Sequence, residues 1–376
     1  MRLLIIFLLL CTPLWARELA LPASLSSPLT ETPTKTPQIK KILTTEKPSK
    51  NIAALDEEKK LPSLLLPKDR DQAVRLQVFL DQKNFGPGFI DGKPGKFTKL
   101  AAKNYNVSLG REKNDPRVVQ EALMEITQAY ATAIVPIFVK DFIDHTLPQE
   151  RSLQAGRKSM PYRSVAEFMA ERYHTSEDLL IAINSAKNLR SATAHSAIKV
   201  PNIRPFLIEK LKHGRTYKTE ERLSAQRIVV DTQIKQIYIY TLVLPSVQEN
   251  ANGTTKISKA KPQLVASFPI TPGKPRFIPL GIWNLKNSVE LPIWRYDRQL
   301  LETGVRGKHS LTIPAGPNNP VGVIWNGLSK SGIGIHGTDN PRTIGRAQSA
   351  GCIRLSNWDA VRFPNFARPG AIVEIR

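Results

Sequence analysis

The chain has 376 residues, a formal net charge of +22 and a pI of about 10. This length excludes a single small domain and allows two or three domains with cores of their own. The chain has two cysteines, Cys11 and Cys352; Cys11 lies in an apolar N-terminal run, so an internal disulfide framework is excluded if that run is removed.

Residues 1–16 have a positive start and a short apolar run, which is typical of a secretory signal peptide cleaved after Ala16. The run is too short to span a bilayer, so no transmembrane segment is expected in the mature chain. Lipid attachment at Cys11 is the alternative, and the bulky Leu10 before it disfavours that reading. We therefore expect an exported protein of the periplasm or cell wall.

Export also bears on the positive charge. Exported proteins seldom meet nucleic acid, and no stripe of basic residues interleaved with aromatics is present, so a nucleic-acid partner is not predicted. Anionic polymers of a bacterial envelope would attract such a chain. The alternative is that the charge only maintains solubility.

Residues 17–66 are rich in Pro, Thr, Ser and Lys and have no sustained apolar period, which predicts a disordered linker. Residues 67–112 follow as a helix, a glycine-rich loop and a second helix. Leu76-Gln77 and the loop Ile90–Gly95 resemble the small peptidoglycan-binding module, which implies binding of glycan strands. The loop could equally be a structural turn in a packing module, and both readings stay open.

Residues 113–157 are predicted to be a helical connector, with apolar residues at helical spacing between Pro116 and Phe142. Residues 158–204 contain two amphipathic helices flanked by strand-like pieces. This segment resembles a divergent LysM module, another glycan-binding type, although the usual glycine-rich turn before its last strand is missing.

From residue 225 to residue 376 the chain is rich in β-branched and aromatic residues separated by Gly, Pro and Asn turns, which predicts an antiparallel sandwich or barrel. The fold class expected is thus multidomain α+β, with small helical N-terminal modules and a mostly β, sandwich-like C-terminal domain. Strands are predicted at Arg227–Thr232, Gln236–Tyr240, Gln263–Ile270 and Gly370–Ile375. Ile293–His309 is predicted to be a flap with Trp294, Tyr296 and Arg298 facing a peptide, or else a packing element.

Two short motifs in this domain indicate a cysteine active site. They are His336-Gly337-Thr338 and Ser349-Ala350-Gly351-Cys352-Ile353-Arg354. A cysteine nucleophile needs a base and small neighbours that let a substrate reach backbone N–H donors, and such surroundings are expected to lower the thiol pKa from about 8.5. The alternative is a buried Cys352 and a satisfied strand histidine.

These motifs resemble the catalytic domain of the L,D-transpeptidases, the YkuD-like family of bacterial cell-wall enzymes. The resemblance implies a mostly β sandwich in which Cys352 attacks the bond between an L-centre and a D-centre of a peptidoglycan stem, expels D-alanine and passes the acyl group to an amine. It identifies His336 as the base. Many members have a second histidine where this chain has Ala350, so any role of that histidine is lost here.

Roles for the remaining motif residues are inferred from the chemistry of their side chains and backbone groups. The Gly351 and Cys352 N–H groups are expected to stabilise the oxyanion, and a backbone carbonyl near Gly337 is expected to hold the imidazole. Substrate binding is assigned to three side chains: a carboxylate clamp by Arg354 and hydrogen bonding by Ser349 and Thr338.

No cofactor or metal is predicted, because the other histidines are scattered. Two rival functions stay open. The site could hydrolyse stem peptides as an L,D-carboxypeptidase or endopeptidase, or the chain could be a non-catalytic wall-binding protein.

Overall fold

A computed structural model describes residues 64–243, 247–249, 255–257, 261–347 and 351–376. The predicted signal peptide, nearly all of the predicted linker and Ser349 lie outside the described residues. Within the described ranges no helix is long and apolar enough to cross a bilayer.

The first three helices form a small bundle. Their bounds are α1 (Arg70–Gln82), α2 (Lys96–Ser108) and α3 (Arg117–Glu125). Helix α1 begins after Asp69, whose carboxylate accepts from the Gln72 N–H, and it buries Val74, Leu76 and Phe79 in the core of the bundle. The predicted order of helix, glycine-rich loop and helix is confirmed.

Gln77 closes the glycine-rich loop between α1 and α2. Its Oε1 accepts from the backbone N–H groups of Asp91 and Gly92, and its Nε2 donates to Asp91 Oδ1 at 3.0 Å. Gly92 has a φ of 69°, the left-handed region that favours glycine. The Asp91 side chain and the loop N–H groups therefore bond to Gln77 of α1. Glycan binding by the loop stays a prediction.

The next segment forms a strand, four helices and a second strand. They are β1 (Tyr130–Ile134), α4 (Arg151–Ala155), α5 (Val165–Arg172), α6 (Glu177–Asn184), α7 (Ala186–Arg190) and β2 (Ala197–Pro201), with a 3₁₀ helix at Ile137–Phe142. Strands β1 and β2 pair antiparallel, with Tyr130 opposite Pro201. The two amphipathic helices predicted for this segment are present as α5 and α6.

The helical pair predicted between Pro116 and Phe142 is half wrong. Helix α3 forms, but Tyr130–Ile134 is a strand. Its two alanines favour a helix locally, and this preference is overridden because β2, far along the chain, supplies a full ladder of backbone partners.

The C-terminal region contains one eight-stranded mixed sheet. After the short helix α8 (Glu221–Ser224) come β3 (Arg227–Asp231), β4 (Gln236–Val243), β5 (Val247–Glu249), β6 (Thr255–Ile257), β7 (Lys261–Pro269), β8 (Gly281–Glu290), β9 (Trp294–Tyr296), α9 (Arg298–Thr303), β10 (Leu311–Ile313), β11 (Ile324–Leu328), β12 (Gly334–His336), β13 (Ile353–Arg354), α10 (Asn357–Arg362) and β14 (Ile372–Ile375). The strand order in the sheet is β13-β12-β11-β8-β14-β3-β4-β7. Two further antiparallel pairs, β5 with β6 and β9 with β10, lie outside this sheet.

The α+β class, with helices before a large sheet, is confirmed, and the four predicted strands correspond to β3, β4, β7 and β14. The sheet is not purely antiparallel as the local pattern suggested. Two of its pairs are parallel, β14 with β3 and β12 with β13. Hydrophobic alternation does not encode strand direction, so this difference follows from the long connections between those strands.

Helices from the first half of the chain pack into the same cores as the sheet. Phe168 and Met169 of α5 belong to one cluster with Ile228 and Ile239 of the sheet. The bundle of α1 to α3 forms a second cluster that includes Leu264 of β7. The helical segments are thus tied to the sheet by buried apolar surface.

Candidate active site

The parallel pairing of β12 and β13 brings the two sequence motifs together. In this register His336 lies opposite Arg354, and Ile335 lies opposite Ile353. Cys352 immediately precedes β13, so the register places it next to Gly334, the first residue of β12, two residues before His336. The pairing therefore places a base, a thiol and a guanidinium along one edge of the sheet, where all three line the same cleft.

His336 is fixed by its surroundings. Its Nδ1 lies 2.6 Å from the carbonyl oxygen of Gly337, the acceptor expected from the sequence. A carbonyl only accepts, so Nδ1 carries the proton and Nε2 is left with the lone pair that a base requires. The imidazole also stacks on Trp325, with ring centroids 5.4 Å apart.

Burial and the nearby Arg354 lower the pKa of His336 from 6.5 to about 3, against the opposing effect of backbone hydrogen bonds. The imidazole is therefore neutral at physiological pH. A neutral ring is the state that can accept a proton from a thiol.

Cys352 lies within the cleft with its Sγ 3.6 Å from the carbonyl oxygen of Gly332. Its pKa is raised by burial, and the backbone of Gly334 and the charge of Arg354 offset only part of that rise. The lowered thiol pKa expected from the sequence is thus wrong for this structure, because removal of the sulfur from water outweighs the favourable dipoles. In the resting state the cleft therefore holds a neutral Cys352 thiol and a neutral His336 imidazole.

Two glycines of the motifs are required by backbone geometry. Gly351 has a φ of 130°, a conformation that side chains of L-residues rarely adopt. A Cβ on Gly337 would collide with the side-chain oxygen of Asn357. These two glycines first suggested an active site, and they are also required by the backbone conformation and close packing around that site.

Arg354 lies over the cleft with its Nε buried and without a hydrogen-bond partner among the described residues. Its backbone is held by Thr271 through a pair of 2.9 Å hydrogen bonds. Burial lowers the pKa of its guanidinium, whereas Asp339 opposes this effect. The backbone is fixed while the guanidinium keeps donor capacity for a ligand.

Of the other predicted site residues, Thr338 is buried under the turn that follows His336. Its N–H donates to Asn357 Oδ1 at 3.1 Å and its hydroxyl accepts from the Asn340 N–H. The predicted flap borders the cleft with β9 and α9. Trp294 and Tyr296 line the cleft, whereas Arg298 does not line it and pairs with Glu302.

The cleft has a volume of about 1390 Å³. Among the described residues that line it, basic side chains outnumber acidic ones. The basic ones are Arg151, Arg276, Arg295, Arg306, Lys330 and Arg354, and the acidic ones are Asp297 and Asp339. A ligand with several carboxylates suits such a lining.

Sequence reasoning missed three residues around the site. Trp325 stacks on His336, Asn357 holds the turn after it, and Arg151 reaches the cleft from helix α4, 3.5 Å from Asp339. Arg151 also lies over the Trp294 ring. Only Asn357 is near a motif in the chain, so its position five residues after Cys352 was the one available signal.

Comparison with known proteins supports the family resemblance. Residues 248–375 match the family described as YkuD, L,D-transpeptidase catalytic domain. Over 59 residues the chain is 46% identical to YkuD of Bacillus subtilis, which is 16% of this chain and 36% of that protein. YqjB of the same organism is 40% identical over 50 residues, 12% of this chain and 28% of that protein. The chain thus spans about a third of the length of these curated relatives.

Solved structures give weaker matches. L,D-transpeptidase 1 of Mycobacterium tuberculosis is 15% identical, with a TM-score of 0.25 over 40% of this chain and 61% of that one. L,D-transpeptidase 3 of the same organism, in complex with a faropenem-derived adduct, is 13% identical, with a TM-score of 0.28 over 50% and 76%. The likeness therefore rests on the family profile, which matches the YkuD L,D-transpeptidase catalytic domain over residues 248–375.

Proposed function

We propose that this chain, whose residues 248–375 match the YkuD L,D-transpeptidase catalytic domain, is an exported cysteine transpeptidase acting on peptidoglycan stem peptides. The observation that carries the proposal is the pairing of β12 and β13, through which neutral His336 and Cys352 line one basic cleft. The reaction is an acyl transfer in two steps.

In the first step the Cys352 sulfur attacks the carbonyl carbon between the L-centre and the D-centre. Because the thiol is protonated at rest, its proton passes to Nε2 of His336 as the S–C bond forms. The tetrahedral intermediate carries its negative charge on oxygen, and the Gly351 and Cys352 N–H groups are the donors we assign to it. Cleavage of the C–N bond releases the D-amino acid, whose amine takes the proton from His336.

In the second step an amine of another stem peptide attacks the thioester. His336 accepts a proton from that amine, the S–C bond breaks, and the proton returns to the sulfur. Thus the base ends each cycle in its starting state. If water takes the place of the amine, the same site is a carboxypeptidase or endopeptidase.

Substrate recognition is assigned to Arg354, whose buried Nε lacks a partner among the described residues. A planar guanidinium offers two parallel donors to a carboxylate. Thr338 would act through the turn that it stabilises, and Ser349 would orient the loop or substrate. The basic cleft and the net charge of +22 favour attraction to anionic wall polymers as well as to the stem peptide.

The experiment is product analysis by mass spectrometry after incubation of purified muropeptides with the full chain. Cross-linked dimers with loss of D-alanine are expected for wild type, and neither product for Cys352→Ala or His336→Gln. His213→Gln is a matched control, because His213 also borders the cleft but bonds to the Leu291 carbonyl. Shortened monomers alone would identify hydrolysis, and no product from folded wild type would favour a wall-binding protein.

A further inference from the structure

Asn357 connects the turn after His336 to a helix that lies outside the family domain. Its Oδ1 accepts from the N–H groups of Val323 at 3.2 Å and Thr338 at 3.1 Å. Its Nδ2 donates to the Pro317 carbonyl at 3.2 Å and to Oε1 of Glu171 at 2.8 Å. All four hydrogen-bonding positions of this buried amide are used, so its orientation is fully determined.

Glu171 lies on α5, well before residues 248–375. It is buried, and Tyr162 donates to its Oε2 at 2.5 Å. The groups that act on it are Tyr162, Asn357, Glu167 and Asp339. Burial raises its pKa to about 8, although the two hydrogen bonds act in the opposite direction. The carboxyl is then protonated at neutral pH. In that state its Oε2–H donates to the Tyr162 hydroxyl, and its Oε1 accepts from Asn357 in either state.

We propose that Glu171 is a positioning residue for the base, a role that rests on the proposed function for its kinetic consequence. The contacts form one line from helix α5 to the imidazole. Glu171 fixes the Asn357 amide, Asn357 Oδ1 holds the Thr338 N–H and packs against Gly337, and the Gly337 carbonyl accepts from His336 Nδ1. The helical segment thereby selects the tautomer of His336 that leaves Nε2 able to take a proton.

The line of contacts has a specific consequence at Gly337. The peptide plane between Gly337 and Thr338 contains both the Thr338 N–H bonded to Asn357 and the Gly337 carbonyl bonded to His336. A rotation of that plane would weaken both bonds at once. Loss of the Glu171 acceptor therefore acts on the imidazole through one shared peptide group.

The test compares three variants of the full chain. Glu171→Leu removes the acceptor at similar volume. Glu171→Gln keeps an acceptor for Asn357 and a donor for Tyr162, and so reproduces the neutral carboxyl. Glu167→Leu is the matched control. Glu167 lies one turn earlier on the same helix and contacts Arg163, and it acts on Glu171 by charge alone, without a hydrogen bond to Glu171 or Asn357.

Two readouts are measured: kcat and KM for stem-peptide transfer, and the His336 tautomer from long-range ¹H–¹⁵N NMR of histidine-labelled protein. We expect Glu171→Leu to lower kcat about tenfold with little change in KM, the effect of one lost buried hydrogen bond, and to mix the tautomers of His336. Glu171→Gln should restore both, and Glu167→Leu should change neither.

A folded Glu171→Leu variant with wild-type kcat and an unchanged Nδ1–H signal would overturn the proposal, as would equal losses in Glu167→Leu. If Glu171→Leu does not fold, Glu171→Asp, which withdraws the carboxylate by one methylene, is judged by the same two readouts. If wild type shows no transfer, the proposed function fails, while the tautomer comparison still decides the role of Glu171.

Discussion

Asp81 and Arg362 form a buried ion pair between helices that lie 281 residues apart in the chain, with Arg362 Nη2 2.9 Å from Asp81 Oδ1. His174 approaches the same carboxylate at 3.0 Å. Asp359 is a second partner of the guanidinium. The pair connects α1 directly to α10, the helix whose first residue is Asn357.

Replacing Asp81 by Asn should destabilise the fold strongly. Removal of one partner leaves the Arg362 charge buried with incomplete compensation, and such losses typically amount to about 3–5 kcal/mol. The free energy of unfolding in urea is the measurement. Glu125→Gln serves as the control, because its pair with Lys83 is partly exposed and should contribute less than about 1 kcal/mol. Equal effects of the two substitutions would contradict the buried-pair interpretation.

Glu171 should make stability depend on pH. Its pKa is about 8 in the folded chain against a usual 4.5, so the unfolded chain releases this proton first as the pH rises. Its contribution is complete below about pH 4.5 and is lost as the pH rises to about 8, by at most about 1.4 kcal/mol for each pH unit.

Glu171→Gln provides the reference for this effect, since it has no proton to lose. The free energy of unfolding of wild type minus that of Glu171→Gln should fall between pH 5 and pH 8. A constant difference across this range would mean that the folded and unfolded chains hold this proton equally well.

Arg354→Ala should reduce stem-peptide turnover by more than Arg354→Lys, and both should reduce it. A charged hydrogen bond contributes about 1.5–3 kcal/mol, which corresponds to a loss of roughly tenfold or more in kcat/KM for the alanine variant. Lysine keeps the charge but offers no planar fork. Arg298→Ala is the control, because Arg298 lies on the flap, pairs with Glu302 and does not line the cleft. Wild-type turnover by both Arg354 variants would exclude the carboxylate clamp.

Cys352 should form a single adduct with a carbapenem, because the resemblance to the transpeptidase family implies that the β-lactam carbonyl can take the place of the stem-peptide carbonyl. Intact-protein mass spectrometry should show one addition on wild type and none on Cys352→Ser. Folded wild type without an adduct would contradict the assignment of Cys352 as nucleophile.

The same thiol should react slowly with iodoacetamide at pH 7, since this reagent requires a thiolate and burial raises the thiol pKa. The alkylation rate should rise steadily with pH and reach no plateau below pH 9. A plateau near neutral pH would show that Cys352 is ionised at rest, as the sequence motif alone suggested.

The sequence predicted the parts of the site that are close together in the chain. His336, Cys352 and Arg354 lie in two neighbouring motifs, and the Gly337 carbonyl was the expected partner of the imidazole. Arg151 and Glu171 were not predicted because their contacts with the site cross more than 150 residues of chain. No local pattern encodes such contacts.

Tertiary burial explains the other differences. The thiol pKa was expected to fall from the neighbouring dipoles, which sequence suggests, whereas desolvation, which depends on the whole fold, raises it. In the same way, Tyr130–Ile134 is a strand because it pairs with β2. That partner lies too far along the chain for the local pattern to reveal it.

Because β12 and β13 pair directly, the relative positions of the proposed catalytic residues do not depend on the length of the chain between the two strands. Strand register aligns Ile335 with Ile353 and His336 with Arg354, whatever route the connection takes between them. Insertions and deletions in that connection would leave the proposed base, His336, and the proposed nucleophile, Cys352, at the same separation. Evolution could therefore reshape this loop for new acceptors while the reaction itself is conserved.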